Sequence, residues 1–234
     1  MKTRRRRLKP ATRRLVTEVY DRLDYGALGS VYCYEGGDEF WRAKRRLCNR
    51  LGSRVAVVLM RKLQRGGRSL YVGAGVAELP ALMMEAAELG RTVQPHNLRR
   101  AEVVILNRAC RSTPLTFYGT DAAGVKGRFD HLWMVSVLND PERLPHLSPL
   151  SYGRSNPLTL NALKFDAERR IVRALVARCM GKLARPGLVT TTTEEVIWIA
   201  EWCHRHHVPY LVEKRYYETA LVGDPICFIQ IGKS

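Results

Sequence analysis

From residue 68 onward the sequence alternates between short apolar runs and stretches whose apolar residues recur three and four apart, and this alternation constrains the fold more than any other feature. RSLYVG (68–73) reads as a strand, VAELPALMMEAAELG (76–90) as a helix closed by Gly90, and RTVQPH (91–96) as a weak strand. NLRRAEVVILNRAC (97–110) reads as a helix with Asn97 as its N-cap. PLTFYGTD (114–121) and FDHLWMVSVL (129–138) follow as strands, and AERRIVRALVARCMGKLA (167–184) as a helix ended by Pro186-Gly187. GLVTTTT (187–193) is a β-branched strand and EEVIWIAEWCHRHH (194–207) a helix. The tail, PYLVEKRYYE and PICFIQIGK around Gly223-Asp224, has the pattern of a hairpin. Strict alternation of strand and helix imposes a parallel sheet with helices on both faces, to which a terminal hairpin adds an antiparallel edge. The expected fold is therefore α/β: a doubly wound, mostly parallel, seven-stranded sheet with a C-terminal antiparallel hairpin.

Residues 1–67 are of another kind. They hold 18 Lys and Arg against 6 Asp and Glu, a net of +12, whereas residues 68–234 hold 21 and 16, a net of +5. MKTRRRRLKPAT (1–12) has too few apolar residues to pack and reads as a flexible arm. A helix is expected from Arg13 to Leu23, then a glycine-broken loop or short extended piece over 24–39, then a long helix. In that helix Phe40, Ala43, Leu47, Leu51, Val55, Val58 and Leu59 recur at helical spacing with arginines between them. Gly66-Gly67 ends it and marks the expected boundary between a basic, mainly helical extension (1–67) and the α/β domain (68–234). Positive charge concentrated on one segment is the footprint of a phosphate-backbone partner, although a solvated basic face has the same composition.

No run of about 18 apolar residues is present to span a bilayer, and no apolar stretch follows the N-terminal charges as in a secretory signal, so a cytoplasmic protein without membrane contact is expected. A mitochondrial targeting peptide is the alternative reading of the arm, against which stand the absence of serine and a poor amphipathic period. Cys33, Cys48, Cys110, Cys179, Cys203 and Cys227 are scattered without a C-x-x-C pair, which favours free thiols. Cys203-His204-Arg205-His206-His207 does not place three donors on one helix face, so no metal is expected.

The motif that carries chemistry is Gly73-Ala74-Gly75, directly after the first strand. A turn there faces the crevice beyond the strand ends, where glycines let a ligand approach the backbone and the next helix offers its N-terminal amides. The dinucleotide fingerprint G-x-G-x-x-G fails because Glu78 holds its third glycine place, and no G-K-[ST] phosphate loop occurs.

LYVGAGVAELP resembles the first motif of class I S-adenosylmethionine-dependent methyltransferases, an acid-x-Gly-x-Gly-x-Gly turn. The resemblance extends over residues 68–234, with YGTDA (118–122) in the place of the third motif, FDHLWMVSVLNDPE (129–142) in that of the fourth, and the terminal hairpin that marks this fold. It implies S-adenosylmethionine as cofactor. Gly73, Ala74 and Gly75 would line its methionine and ribose, Asp121 would accept from the adenine amino group with Ala122 beside it, and Ser136 to Leu138 would pass near the sulfonium. The sequence departs from the pattern at three places: Tyr71 replaces the leading acid, Ala77 the third glycine, and Asn97, next to His96, stands nearest to the ribose-binding acid of the second strand. Asn97 retains hydrogen-bonding capacity, and Glu78 is placed to meet the methionine amine or to favour the helix dipole.

Methyl transfer depends on positioning and desolvation. The resemblance implies that Asn139-Asp140-Pro141-Glu142 holds the acceptor, because amino-methylating branches of the family place an Asn or Asp, two prolines and an aromatic there; this stretch lacks the aromatic, and an Asp-Pro turn is the competing reading. Asn139 and Asp140 are thus the candidate catalytic residues. Tyr20, Tyr25, Tyr32, Tyr34, Phe40 and Trp41 stand among the N-terminal charges, where they either stack on bases or pack a helix onto the sheet. An RNA methyltransferase acting on ribosomal or transfer RNA accounts for both the motif order and the charge. The alternatives are a methyl or aminopropyl transferase of small molecules and a non-catalytic RNA- or ribosome-binding protein on a degenerate methyltransferase scaffold.

Overall fold

The computed structural model describes residues 7–31, 37–151, 161–221 and 223–232. The helices and strands in chain order are α1 (Pro10–Arg22), α2 (Tyr25–Val31), α3 (Gly37–Leu59), β1 (Arg68–Val72), α4 (Leu79–Met83), β2 (Thr92–His96), α5 (Arg100–Cys110), β3 (Phe129–Met134), α6 (Ser148–Ser151), α7 (Ala162–Met180), β4 (Leu183–Thr192), α8 (Val196–Arg205), β5 (Tyr210–Val212) and β6 (Ile226–Ile231). They form an α/β fold with a six-stranded mixed sheet in the order β2-β1-β3-β4-β6-β5. No helix among the described residues is long and apolar enough to cross a membrane.

The contacts divide the chain into two compact units. The first comprises residues up to Ala122 together with Glu218–Gly223 and holds α1 to α5 and the parallel pair β1-β2. Leu70, Tyr71 and Val72 of β1 are all buried, as expected of a parallel strand covered on both faces. α3 turns Trp41, Cys48, Leu51, Val55, Ala56 and Leu59 inward and packs on α2 and α4. Gly52, on this inward side, approaches the helix after the glycine turn so closely that a Cβ would meet Pro80 Cγ at 2.8 Å and the Ala77 carbonyl at 3.2 Å. α1 also packs on α4, and its Tyr20 hydroxyl donates to the Val76 carbonyl at 3.0 Å.

The second unit comprises Ala123–Tyr217 and Asp224–Ser234. Its strands β3 and β4 run parallel, while β6 is antiparallel to both β4 and β5, so the expected C-terminal hairpin supplies the antiparallel edge.

Several expectations are corrected. The seventh strand, over 114–121, is reduced to a single parallel bridge between Tyr118 and His96. The Asn107 side chain accepts from the Phe117 N–H at 2.7 Å and donates to its carbonyl at 2.9 Å, satisfying the two groups a ladder would have used. The glycine-rich stretch after residue 24 forms α2, because Asp24 Oδ1 accepts from the Ala27 N–H at 3.0 Å and caps it. Asn97 does not cap α5; Arg99 holds that position, and Asn97 Oδ1 accepts from its N–H at 2.8 Å. α7 ends at Gly181, and Pro186-Gly187 lies inside β4. Within the expected flexible arm, Leu8 is buried and α1 begins at Pro10, a residue suited to the first helical position; residues 1–6 lie outside the described residues. Tyr20, Tyr25 and Trp41 are buried and pack the core, whereas Tyr32 and Tyr34 lie outside the described residues. Cys48, Cys110, Cys179, Cys203 and Cys227 are buried free thiols.

Candidate active site

β1 ends at Val72 and the chain turns through Gly73, whose φ of +72° is open to glycine at little cost. The Ala74 N–H donates to the His96 carbonyl at 2.9 Å, which ties the turn to the end of β2. Gly75 is needed for space: a Cβ there would meet Glu102 Oε1 at 2.7 Å. The Gly75 N–H donates to Glu78 Oε2 at 2.8 Å, so Glu78 satisfies the amide that opens the following helix.

Asn97 lies on the other wall of the turn, 7% exposed. Its Nδ2 donates to the Ala74 carbonyl at 3.0 Å and to Glu102 Oε2 at 2.9 Å. Glu102, wholly buried, thus supplies a carboxylate beside the glycine turn although neither Tyr71 nor Asn97 does. The sequence reading missed it. Its signal is a carboxylate on the apolar face of α5, three, four and seven residues before the buried Ile105, Leu106 and Ala109.

Tyr71 faces away from this cluster, into a buried ionic group. Its hydroxyl donates to Glu85 Oε1 at 2.6 Å, while Glu85 Oε2 pairs with Arg91 Nε at 3.0 Å and accepts from Ser69. Arg91 also donates to the carbonyls of Gln64 and Gly66 at 2.9 and 2.7 Å. Burial and the neighbouring Glu85 carboxylate push the Tyr71 hydroxyl well above its usual range.

Asp121 is exposed, and the buried Ala122 follows it. Nearby, His96 Nδ1 lies 3.1 Å from Thr120 Oγ1, and its ring stacks on Tyr118 with centroids 5.1 Å apart. Burial holds the His96 imidazole below its ordinary range, against the opposing effects of the Thr120 carbonyl and Asp121. Gly73, Ala74, Gly75, Glu78 and Asn97 are brought together at the turn. Two carboxyl groups, Glu78 and Glu102, thus stand beside a backbone turn that carries only one methyl side chain, a set of acceptors suited to a ligand with hydroxyl or amine donors.

In the second unit, the chain leaving β3 turns at Ser136 with φ +57°, a strained value for a non-glycine residue. One carboxylate holds the turn. Glu195 Oε1 accepts from the N–H groups of Val137 and Leu138, each at 2.6 Å, and Oε2 from those of Ser136 at 3.0 Å and Thr192 at 3.3 Å and from the Thr191 hydroxyl at 3.0 Å. Burial pushes the Glu195 carboxyl above its ordinary range, with these hydrogen bonds opposing. Glu195 was also missed, although Thr192-x-x-Glu195 has the sequence pattern of a capping box, of which the structure forms the half in which Glu195 accepts from the Thr192 N–H.

The loop then presents Asn139, fully buried, whose Nδ2 donates to Asp224 Oδ2 at 3.3 Å. Asn139 Oδ1 is buried and has no hydrogen-bond partner among the described residues. Asp140 behaves as a turn residue: its Oδ1 accepts from the Glu142 N–H at 2.9 Å and its carbonyl from the Leu144 N–H at 2.8 Å.

No protein-family model and no curated protein sequence matches the chain. Solved structures do. Magnesium protoporphyrin IX methyltransferase from Synechocystis PCC 6803 with bound SAM aligns at 12% identity over 82% of each chain, with a TM-score of 0.53. TYW2 from P. horikoshii in complex with MeSAdo aligns at 8% identity over 78% of this chain and 63% of that one, with a TM-score of 0.50. TrmN from Thermus thermophilus aligns at 17% identity over 75% of this chain, with a TM-score of 0.48; the chain spans about half of its length, 48%. The chain has the fold of the class I S-adenosylmethionine-dependent methyltransferases.

Proposed function

We propose that this chain is an S-adenosylmethionine-dependent methyltransferase acting on RNA, with ribosomal or transfer RNA as acceptor and its basic N-terminal helices docking the phosphate backbone. The observation that carries the cofactor assignment is the cluster Gly73-Ala74-Gly75, Asn97 and Glu102, in which a turn stripped of side chains adjoins a buried carboxylate at the end of a parallel strand pair. The RNA assignment is supported by the net +12 of residues 1–67.

In this reading Gly73, Ala74 and Gly75 hold the methionine and ribose portions. Asn97 meets the ribose and positions Glu102, and Glu78, which fixes the Gly75 amide, faces the methionine amine. Asp121, exposed and thus free of a desolvation cost in the apo protein, accepts from the adenine amine, with Ala122 against the ring. Tyr71 contributes from behind, by anchoring β1 to Glu85. The bound sulfonium supplies an electrophilic methyl group. In the second unit Glu195 holds Ser136 to Leu138, and the side-chain Oδ1 of Asn139, buried and without a partner among the described residues, is the acceptor we assign to a nucleophilic amine, orienting its lone pair. Asp140 shapes that loop, and the released proton passes to solvent.

Isothermal titration with S-adenosylmethionine and with its demethylated product tests the proposal; binding is expected, and the absence of heat together with an unmoved melting temperature at saturating ligand would overturn it. A non-catalytic RNA-binding protein on the same scaffold is the second reading. It is favoured by the commitment of the Asn97 amide to Ala74 and Glu102, and it predicts RNA binding with no response to the cofactor.

A further inference from the structure

The face of α3 opposite its buried side carries Arg42, Arg46, Arg50 and Arg54, successive i,i+4 positions and all exposed. Helical rise strings their four guanidinium groups along about 18 Å. No Asp or Glu occurs between Glu39 and Glu78. Arg42 meets Asp38 at 3.6 Å, but Arg46, Arg50 and Arg54 have no ion-pair partner among the described residues.

A solvated helix face ordinarily mixes both signs, because like charges at i,i+4 repel and weaken the helix. Here three such repulsions follow one another, and among the described residues only the Arg42–Asp38 pair, at one end, relieves them. A polyanion laid along the row would do so. The residues are arginines, whose planar fork engages phosphate oxygens bidentately. An anionic membrane surface fits less well: the apolar side of α3 is spent on α2 and α4, leaving nothing to insert among acyl chains. The row is also fixed in place, since Gly52 seats α3 against Ala77 and Pro80, immediately after the glycine turn.

We propose that Arg42, Arg46, Arg50 and Arg54 form the docking surface for the sugar-phosphate backbone of the RNA acceptor, binding charge without regard to sequence; this rests on the RNA-acceptor reading above. Phosphate contacts set register and orientation, and base choice is left to the acceptor loop.

The test compares the full chain with two variants, Arg42→Gln/Arg46→Gln/Arg50→Gln/Arg54→Gln and the corresponding four-fold Arg→Lys. Gln and Lys are good helix formers, so both variants are expected to keep the native circular dichroism and the native response to S-adenosylmethionine. Fluorescence anisotropy is read with unfractionated tRNA and with a 20-residue oligouridylate between about 50 and 200 mM KCl. The slope of log K against log salt is expected to lose about 3 units in the Gln variant, equally for both RNAs, and to be largely retained in the Lys variant. A Gln variant with the native slope overturns the docking row while leaving the RNA reading intact. Native protein that binds neither RNA overturns both. Tighter binding to phosphatidylserine vesicles than to RNA at matched salt overturns the row's assignment to nucleic acid.

Discussion

The side-chain amide of Asn97 holds the Ala74 carbonyl at 3.0 Å, so the end of β2 and the turn after β1 are fastened across their tips by one residue. The same amide reaches Glu102 at 2.9 Å. An amide at the end of β2 therefore secures a buried carboxyl group from the next helix beside the turn.

Replacing that amide with an acid should consequently do harm. Asn97→Asp places a second carboxylate against Glu102 with no donor between them, and like charges raise a carboxyl pKa in the folded state. Stability then falls as pH rises through that raised value, so Asn97→Asp should unfold more easily at pH ~7 than at pH ~5 relative to the wild type, in urea titrations. Asn97→Ala should cost about 2 to 3 kcal/mol through the unmatched carbonyl and carboxylate. An Asp variant as stable as the wild type at both pH values contradicts the arrangement.

Gly75→Ala drives a methyl group against Glu102 Oε1, at 2.7 Å before relaxation. Overpacking of this kind costs about 1 to 3 kcal/mol. On the functional reading, cofactor affinity falls at least tenfold as the carboxylate is displaced into the ligand's place. Calorimetry on a variant with native circular dichroism separates the two effects; unchanged affinity would place the cofactor elsewhere.

Asp121→Asn provides the complementary case. The residue is exposed, so its melting temperature should not move. Loss of a charged acceptor for the adenine amine should weaken cofactor binding by about 1.5 kcal/mol, roughly tenfold. Equal affinity in titration would remove Asp121 from the site.

Arg91 and Glu85 pair at 3.0 Å with both side chains wholly buried, and Tyr71 and Ser69 complete the set. Arg91→Met leaves the Glu85 carboxylate uncompensated and should cost about 3 to 5 kcal/mol by denaturant unfolding. Arg91→Met/Glu85→Leu should recover much of it, because an apolar pair can replace a buried ion pair. A double variant as unstable as the single one would show that the carbonyls of Gln64 and Gly66 account for the loss.

Glu195 gives a pH signature. Its folded-state carboxyl lies above the ordinary value, so the native state holds a proton that the unfolded chain releases sooner. Its contribution to stability is present below about pH 4.3, the unfolded value, and declines as pH rises through the raised one. Glu195→Gln cannot titrate, and the difference in unfolding free energy between wild type and variant should shrink over that window as the wild type loses its contribution. A difference that stays flat from low to neutral pH refutes the assignment.

The helices and parallel strands were legible because periodicity reports burial: Leu70 to Val72 and, in α3, Leu51, Val55 and Leu59 appear in the sequence as they pack, whereas Trp41, Cys48 and Ala56 take the remaining inward places and Ala43 is exposed. The turn at Gly73 was legible because few residues accept its backbone angle. Long-range side-chain bonds were not. Nothing local at Phe117 announces that Asn107 takes its backbone groups and leaves a bridge where a strand was expected. Glu102 and Glu85 are carboxyl groups among buried helical residues and Glu195 stands at a helix start, patterns that do not say which long-range partner waits there. The Asp24 cap was visible in type and was outweighed by the glycines around it.

The seating of Gly52 on Pro80, with the Tyr20 bond to Val76, makes the N-terminal helices part of the wall that supports the glycine turn. Cleavage at Gly66-Gly67 would therefore nick the protein without releasing a self-sufficient catalytic fragment, and the two pieces should elute together. A shorter chain beginning at Arg68 would need another partner to cover Leu79, Leu82 and Met83 before it could stay in solution.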